Sequence, residues 1–124
     1  MDIRAYHQLL SEEIRLRIVN LLLEGPLCVC HFQELLDQSQ VKISKHLAIL
    51  RQKGLVEAHR EANWMIYDLL KKRDRWLKKN LKALKQSRSD EKFLKEDLER
   101  REKLMVSLSR NPGLTPGAVC APTE

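Results

Sequence analysis

Residues 39–54, SQVKISKHLAILRQKG, carry the reading that decides the fold. Ser39 has the side chain of a helix N-cap, since its hydroxyl can accept from a free backbone N–H of the first turn, and Gly54 suits the left-handed position after a helix C-terminus. Between them Ile43, Leu47 and Leu50 recur at i, i+4 and i+7, one apolar stripe at about 100° per residue. The stripe needs a core to face. Val41, Lys42, Lys45 and Ala48 fall on the opposite side, with Gln40 and Ser44 near the N-terminal end, so the outer face is short, polar and basic. A preceding short helix over 29–36 and a tight link at Asp37–Gln38 complete a helix-turn-helix, whose second helix lays its N-terminal residues against base edges in the major groove.

Upstream, Ile3, Tyr6, Leu9 and Leu10 have helical spacing, and Ser11 is read as the cap of a second helix in which Ile14, Ile18, Leu21 and Leu22 resume the stripe. Gly25–Pro26 ends it, with Pro26 placed at the entry of the third helix, where Val29, Phe32, Leu35 and Leu36 turn toward the Ile43 stripe. Downstream, LVEAHR and WMIYDL are β-leaning runs separated by Glu61, Ala62 and Asn63, a hairpin whose alternation sets Val56 and Ala58 on one face with Trp64 and Ile66 available to pack on them. Helical spacing returns at Trp76, Leu77, Leu81 and Leu84, and again at Phe93, Leu94, Leu98, Met105 and Leu108, with Ser89 or Asp90 as the cap of the last helix. The tail RNPGLTPGAVCAPTE holds three of the four prolines and two of the four glycines, a composition that predicts flexibility. The expected organisation is a domain over 1–86, a C-terminal helix over 87–108 and a flexible cysteine-containing tail over 109–124. The fold class is mainly α with a small β-hairpin.

At 124 residues the chain is long enough for one core. Its pI near 9.4 and net charge of +6 favour polyanionic partners. The charge is uneven: residues 1–70 carry 8 Lys/Arg against 9 Asp/Glu, and 71–124 carry 15 against 8. A charge run is usually a solvated helix face, which is how 71–85 reads, with contact to a DNA backbone as the alternative. No apolar run approaches the roughly 18 residues of a membrane span and no signal-peptide core opens the chain, so a cytoplasmic protein without membrane partners is expected. Three cysteines in a reducing compartment point to metal binding or redox chemistry rather than disulfides.

The order helix, helix, recognition helix, hairpin resembles the winged helix-turn-helix repressors of the ArsR/SmtB family over residues 7 to about 70. RLRIVNLL at 15–22, SQVKISKHLAILRQKGLV at 39–56 and the Trp and Tyr of WMIYDL carry the resemblance. It implies a homodimer with the terminal helices at the subunit interface, double-stranded operator DNA as partner, and a β-wing around Glu61–Asn63. The contact residues it implies are Ser39, Gln40, Val41, Lys42, Ser44, Lys45 and His46 on the recognition helix, with Arg60 and Asn63 on the wing. Within the family LCVC, Leu27 to Cys30, looks like the thiolate motif of the arsenic- and antimony-responsive members. Where many of those carry a third cysteine this chain has Gln33. It has no cysteine before Cys28, unlike cadmium- and lead-responsive relatives, and no histidine after residue 70, unlike zinc-responsive ones. Ala62–Asn63 stands where the family often has Gly-Arg, which weakens the expected wing contact.

Independently of the resemblance, a soft thiophilic ion seeks thiolates, and cysteines at a helix start have the thiolate favoured by the helix dipole. Cys28 and Cys30 are the candidate ligands, the alternative being two small buried apolar groups; As(III) or Sb(III) as inducer, with no cofactor needed to bind DNA, is what the resemblance implies. In a regular helix positions i and i+2 lie about 200° apart, so sharing one ion would require the first turn to unwind. Cys120, the remaining sulfur nucleophile, is the candidate third ligand, against water, hydroxide or a small thiol. His31 is read as solvated. His46 either touches phosphate or bonds within the domain. No nucleophile–base set predicts an enzyme. The expected function is an operator-binding repressor released by trivalent arsenic or antimony, with a thiol redox-sensing repressor or a protein-interaction module built on the basic C-terminal helices as alternatives.

Overall fold

The computed structural model describes residues 1–110; the tail from Asn111, with Cys120, lies outside the described residues. Its elements run α1 (Ile3–Leu10), α2 (Glu13–Leu22), β1 (Leu27–Cys28), α3 (Val29–Leu36), α4 (Gln40–Gln52), β2 (Val56–Glu61), β3 (Trp64–Leu69), α5 (Arg75–Ser87), a 3₁₀ turn at Arg88–Asp90, and α6 (Lys92–Arg110). This is a winged helix-turn-helix. The boundaries of α4 follow its sequence signals: the Ser39 hydroxyl accepts from the Lys42 N–H at 3.2 Å, and Gly54 takes φ +80°. Beyond it, Leu55 N–H donates to Leu50 O at 3.0 Å and Gly54 N–H to Arg51 O at 3.1 Å. That is a Schellman closure, and Leu50 and Leu55, its apolar pair, are both fully buried.

Four details differ from the sequence expectations. Glu12, not Ser11, caps α2, its carboxylate accepting from Arg15 N–H at 3.0 Å, while the Ser11 hydroxyl donates back to Gln8 O. Pro26 leads into a strand rather than a helix, because Leu27 and Cys28 pair with Tyr67 and Ile66 and make the hairpin a three-stranded antiparallel sheet of order β1-β3-β2. A two-residue strand is too short to show alternation. The hairpin register sets Val56 opposite Leu69 and Ala58 opposite Tyr67, so Trp64 and Ile66 lie on the other face of the sheet from Val56 and Ala58. Ala62 supplies the positive φ of 53° that the two-residue turn needs. Finally, Ser89 and Asp90 lie in the 3₁₀ turn, and it is Glu91 O that accepts the first backbone bond of α6, from Lys95.

Ile18, Leu21, Phe32, Ile43, Leu47, Leu50 and Leu55, all at 0% exposure, form the centre where α2, α3 and α4 meet. Helix α5 closes over it with Leu77 and Leu81, and Tyr6 of α1 meets Trp76 edge to face at 5.2 Å. Helix α6 is fixed to α2 by polar contacts. Arg17 donates through Nε and Nη2 to the two carboxylate oxygens of the fully buried Asp97, at 2.7 and 2.9 Å, and Asn20 donates to Leu94 O.

Candidate DNA-reading surface and thiol pair

Helix α4 is amphipathic in the way its stripe requires. With Ile43, Leu47 and Leu50 at 0% exposure, the opposite side projects Ser39, Gln40, Val41, Lys42 and Lys45 into solvent, and Ser44 is half-buried beside them. Val41 is 80% exposed, a large apolar group left in water at the N-terminal end of the helix. That end combines two lysines with the partial positive charge of unpaired N–H groups, a setting that favours anionic oxygens. Arg60 and Asn63, at the end of β2 and in the wing turn, are also exposed.

His46 does not belong to this surface. It is 7% exposed, its Nδ1 lies 3.2 Å from Arg15 Nη1 and 3.9 Å from a Glu12 oxygen, so it ties α4 to the start of α2. Burial is the main reason its pKa lies below the ordinary 6.5, and Arg15, Lys45 and Lys42 lower it further against the opposing effect of Glu12. The unfolded chain therefore binds a proton near pH 6.5 that the folded chain resists. Its contribution to stability is complete above that pH and drains away as pH falls from 6.5 through the lowered folded value. Urea midpoints measured between pH 7.5 and about 5 should decline more steeply for the parent than for His46→Gln; parallel declines would contradict this placement.

The cysteine pair sits at the junction of β1 and α3; Cys28 is in the thiol form, whereas Cys30 is disulfide-bonded, contrary to the sequence expectation that the cysteines would not form disulfides. Cys28 is the N-cap of α3 with extended backbone, φ −91° and ψ 167°, so it is not a helical residue and the 200° separation of a regular helix does not apply. The two sulfurs are 3.4 Å apart. No unwinding is needed to bring them together, and once Cys30 is reduced the span is short enough for one atom to bond both at the roughly 2.3 Å of a thiolate–metal bond. Both cysteines are buried, at 2% and 8% exposure, and they cluster with Ile66 and Trp64. Burial raises the Cys28 thiol above its ordinary pKa, outweighing the backbone N–H groups of His31, Cys30 and Cys28 that lower it. The helix start alone thus does not make this thiol acidic.

His31 is buried at 3%, contrary to the expectation of a solvated ring. Its Nδ1 accepts the Cys28 backbone N–H at 3.3 Å, and the Cys28 sulfur in turn faces the His31 N–H in a capping box. The sequence signal was available: His31 stands at N3, the reciprocal position of that motif. Among the described residues no group of three or more His, Cys, Asp or Glu could hold a metal ion. Trp64 and Ile66, missed as lining residues, are reached because β3 pairs with β1.

Comparison with known proteins places these features in context. The family model described as bacterial regulatory protein, arsR family, matches residues 12–58. The chain is 51% identical over 63 residues to the arsenical resistance operon repressor of Escherichia coli, covering 50% of this chain and 54% of that one. It is 38% identical over 81 residues to the arsenic resistance transcriptional regulator ArsR2 of Pseudomonas putida, covering 64% and 70%. Among solved structures, HlyU from Vibrio cholerae superposes with a TM-score of 0.58 at 32% identity, over 64% of this chain and 84% of that one. The chain spans little more than half the length of the Escherichia coli relative.

Proposed function

The chain belongs to the arsR family of bacterial regulatory proteins, and on that premise we propose that it is a dimeric transcriptional repressor that releases its operator on binding trivalent arsenic or antimony through Cys28 and Cys30. The observation that carries the reading is the 3.4 Å separation of the two sulfurs beside a strand of the wing; Cys30 is disulfide-bonded in this structure, so the form that binds the inducer is the reduced one. Soft thiolates favour a soft trivalent centre, and the arsenic-resistance names of the relatives point the same way. Cys120, outside the described residues, is proposed as the third thiolate. The DNA contacts are Ser39, Gln40, Val41, Lys42, Ser44 and Lys45, with Arg60 and Asn63 on the wing. Ile3 and Val106, 52% and 42% exposed on α1 and α6, are apolar groups that a second subunit would cover.

Coupling runs through elements that share the cysteines. Cys28 belongs to β1, which pairs with the wing strand β3, and Cys30 belongs to α3, which packs on α4. An ion held by both sulfurs ties β1 to the start of α3, and so links the wing strand to the element that packs on the recognition helix. Release requires the inducer to bind the DNA-incompetent form more tightly, typically by about 1–3 kcal/mol. Operator affinity measured at fixed salt against As(III), Sb(III), Cd(II) and Zn(II) in parallel tests the proposal. Release by the first two supports it, and release by Cd(II) or Zn(II) alone would refute it.

Two residues give sharper expectations. Lys45→Ala should weaken operator binding, by about 1–3 kcal/mol with relaxed specificity if Lys45 meets a base, or evenly on all sequences with a salt slope lower by roughly one if it meets a phosphate. Unchanged affinity and slope would remove Lys45 from the interface. His31 holds the Cys28 amide, so His31→Ala should weaken As(III) binding by about 10- to 100-fold, while His31→Gln, which keeps an acceptor at N3, should retain most of it. Equal affinities in a direct As(III) titration of both variants would show that the ring does not position the pair.

A further inference from the structure

Helix α5 carries a charge pattern that neither the reading head nor the thiol pair uses. Trp76, Leu77, Leu81 and Leu84 turn toward the core, and on the opposite side Arg75, Lys78, Lys79, Lys82 and Lys85 are all exposed. At about 100° per residue these five cations fall within an arc of roughly 120°, and the first and last are about 15 Å apart along the axis. No acidic residue occurs between Arg75 and Ser87. The acids near this face are Asp74, which caps α5 by accepting from Leu77 N–H, Asp68, which accepts from Leu69 N–H, and Glu24, which lies 2.7 Å from Arg88 and 4.0 Å from Lys85. Among the described residues, Arg75, Lys78, Lys79 and Lys82 are left as one uncompensated stripe beside a groove of about 410 Å³ formed with the end of α2 and the end of β3.

The stripe is also removed from the wing turn. It follows the C-terminal end of β3, and the wing turn lies at the other end of that six-residue strand, about 20 Å away. We propose that the basic face of α5 is a second, sequence-independent contact for the phosphate backbone of duplex DNA, engaging flanking or neighbouring DNA rather than the bases read by α4. One strand of B-DNA presents a phosphate every 3.4 Å or so of axis, so a 15 Å stripe faces about four. Fixed cations at that density release condensed counterions on binding, which gives affinity and a steep salt dependence without specificity.

The test uses the full chain and a duplex of arbitrary sequence about four helical turns (~40 bp) long. Its affinity is measured by anisotropy between about 50 and 200 mM salt for the parent and for the combined variant Arg75→Gln, Lys78→Gln, Lys79→Gln, Lys82→Gln. A control removes as many exposed charges from α6, as Lys92→Gln, Lys95→Gln, Lys103→Gln, Arg110→Gln. The stripe variant should show a salt slope lower by about 3 to 4, so that the parent loses on the order of 100-fold more affinity across that range, with the control close to the parent. Preference for an operator selected from a random pool over arbitrary DNA should not change. Equal slopes in parent and stripe variant, an equal drop in the control, or loss of sequence preference would each overturn the proposal. So would an unchanged DNA slope with lost binding to polyglutamate, which would assign the face to an acidic protein segment. A parent that selects no operator would refute the repressor reading while leaving the salt slopes to judge the stripe.

Discussion

Replacing Asp97 by alanine is expected to remove about 3–5 kcal/mol of folding stability, the loss associated with leaving one member of a buried ion pair unpaired. Asp97 has no exposed surface and receives two hydrogen bonds from Arg17, and Arg100 donates to it as well. The Arg17 guanidinium is held above its ordinary pKa chiefly by that hydrogen bond, and since a guanidinium stays protonated even without a partner, removing Asp97 leaves it charged and unpaired. Against a typical domain stability of about 5–15 kcal/mol, this is enough to undock α6 or unfold a large fraction of the chain. Urea denaturation of Asp97→Ala measures it, and a loss below about 1 kcal/mol would show that the pair is incidental. Replacing both partners with apolar residues, Arg17→Met with Asp97→Leu, should recover much of the loss, because the buried charge is then absent.

The second large effect is on signalling rather than folding. Cys28→Ser and Cys30→Ser, made separately, should each leave operator affinity near the parent value and abolish release by As(III). The coupling factor should collapse from the roughly 5- to 150-fold of an ordinary inducible switch to about one. Serine preserves the size of the N-cap side chain and its capacity to accept the His31 N–H, so the fold around α3 should survive. Release of either variant by As(III) at the parent's concentration would mean that the pair is not the ligand.

The fold was legible in the sequence wherever a signal repeated over several residues. The stripe of α4, its Ser39 cap and its Gly54 terminator agree with one another, and each depends only on neighbours within the helix. The two hairpin strands were legible for the same reason. Strand β1 was not, because two residues cannot display a period and its existence depends on Tyr67 and Ile66, nearly forty positions away. Missing it misplaced Trp64 and Ile66, and it also hid why the cysteines converge: pairing with β3 holds Cys28 extended, outside the helix that its position seemed to join. The charged contacts of α6 escaped for a related reason. Arg17 and Asp97 are 80 residues apart, and a residue type gives no notice of which distant partner will bury it.

The measurement that tests the central claim most directly is X-ray absorption at the arsenic edge on the arsenite complex, in buffer free of small thiols, which counts the sulfur atoms bonded to the metalloid. The account predicts three sulfur neighbours in the parent, two in Cys120→Ser, and no more than one in the double variant Cys28→Ser, Cys30→Ser. Three sulfurs persisting in Cys120→Ser would remove Cys120 from the site. An unchanged sulfur count in the Cys28→Ser, Cys30→Ser variant, or only oxygen neighbours in the parent, would contradict the claim that this pair holds the inducer.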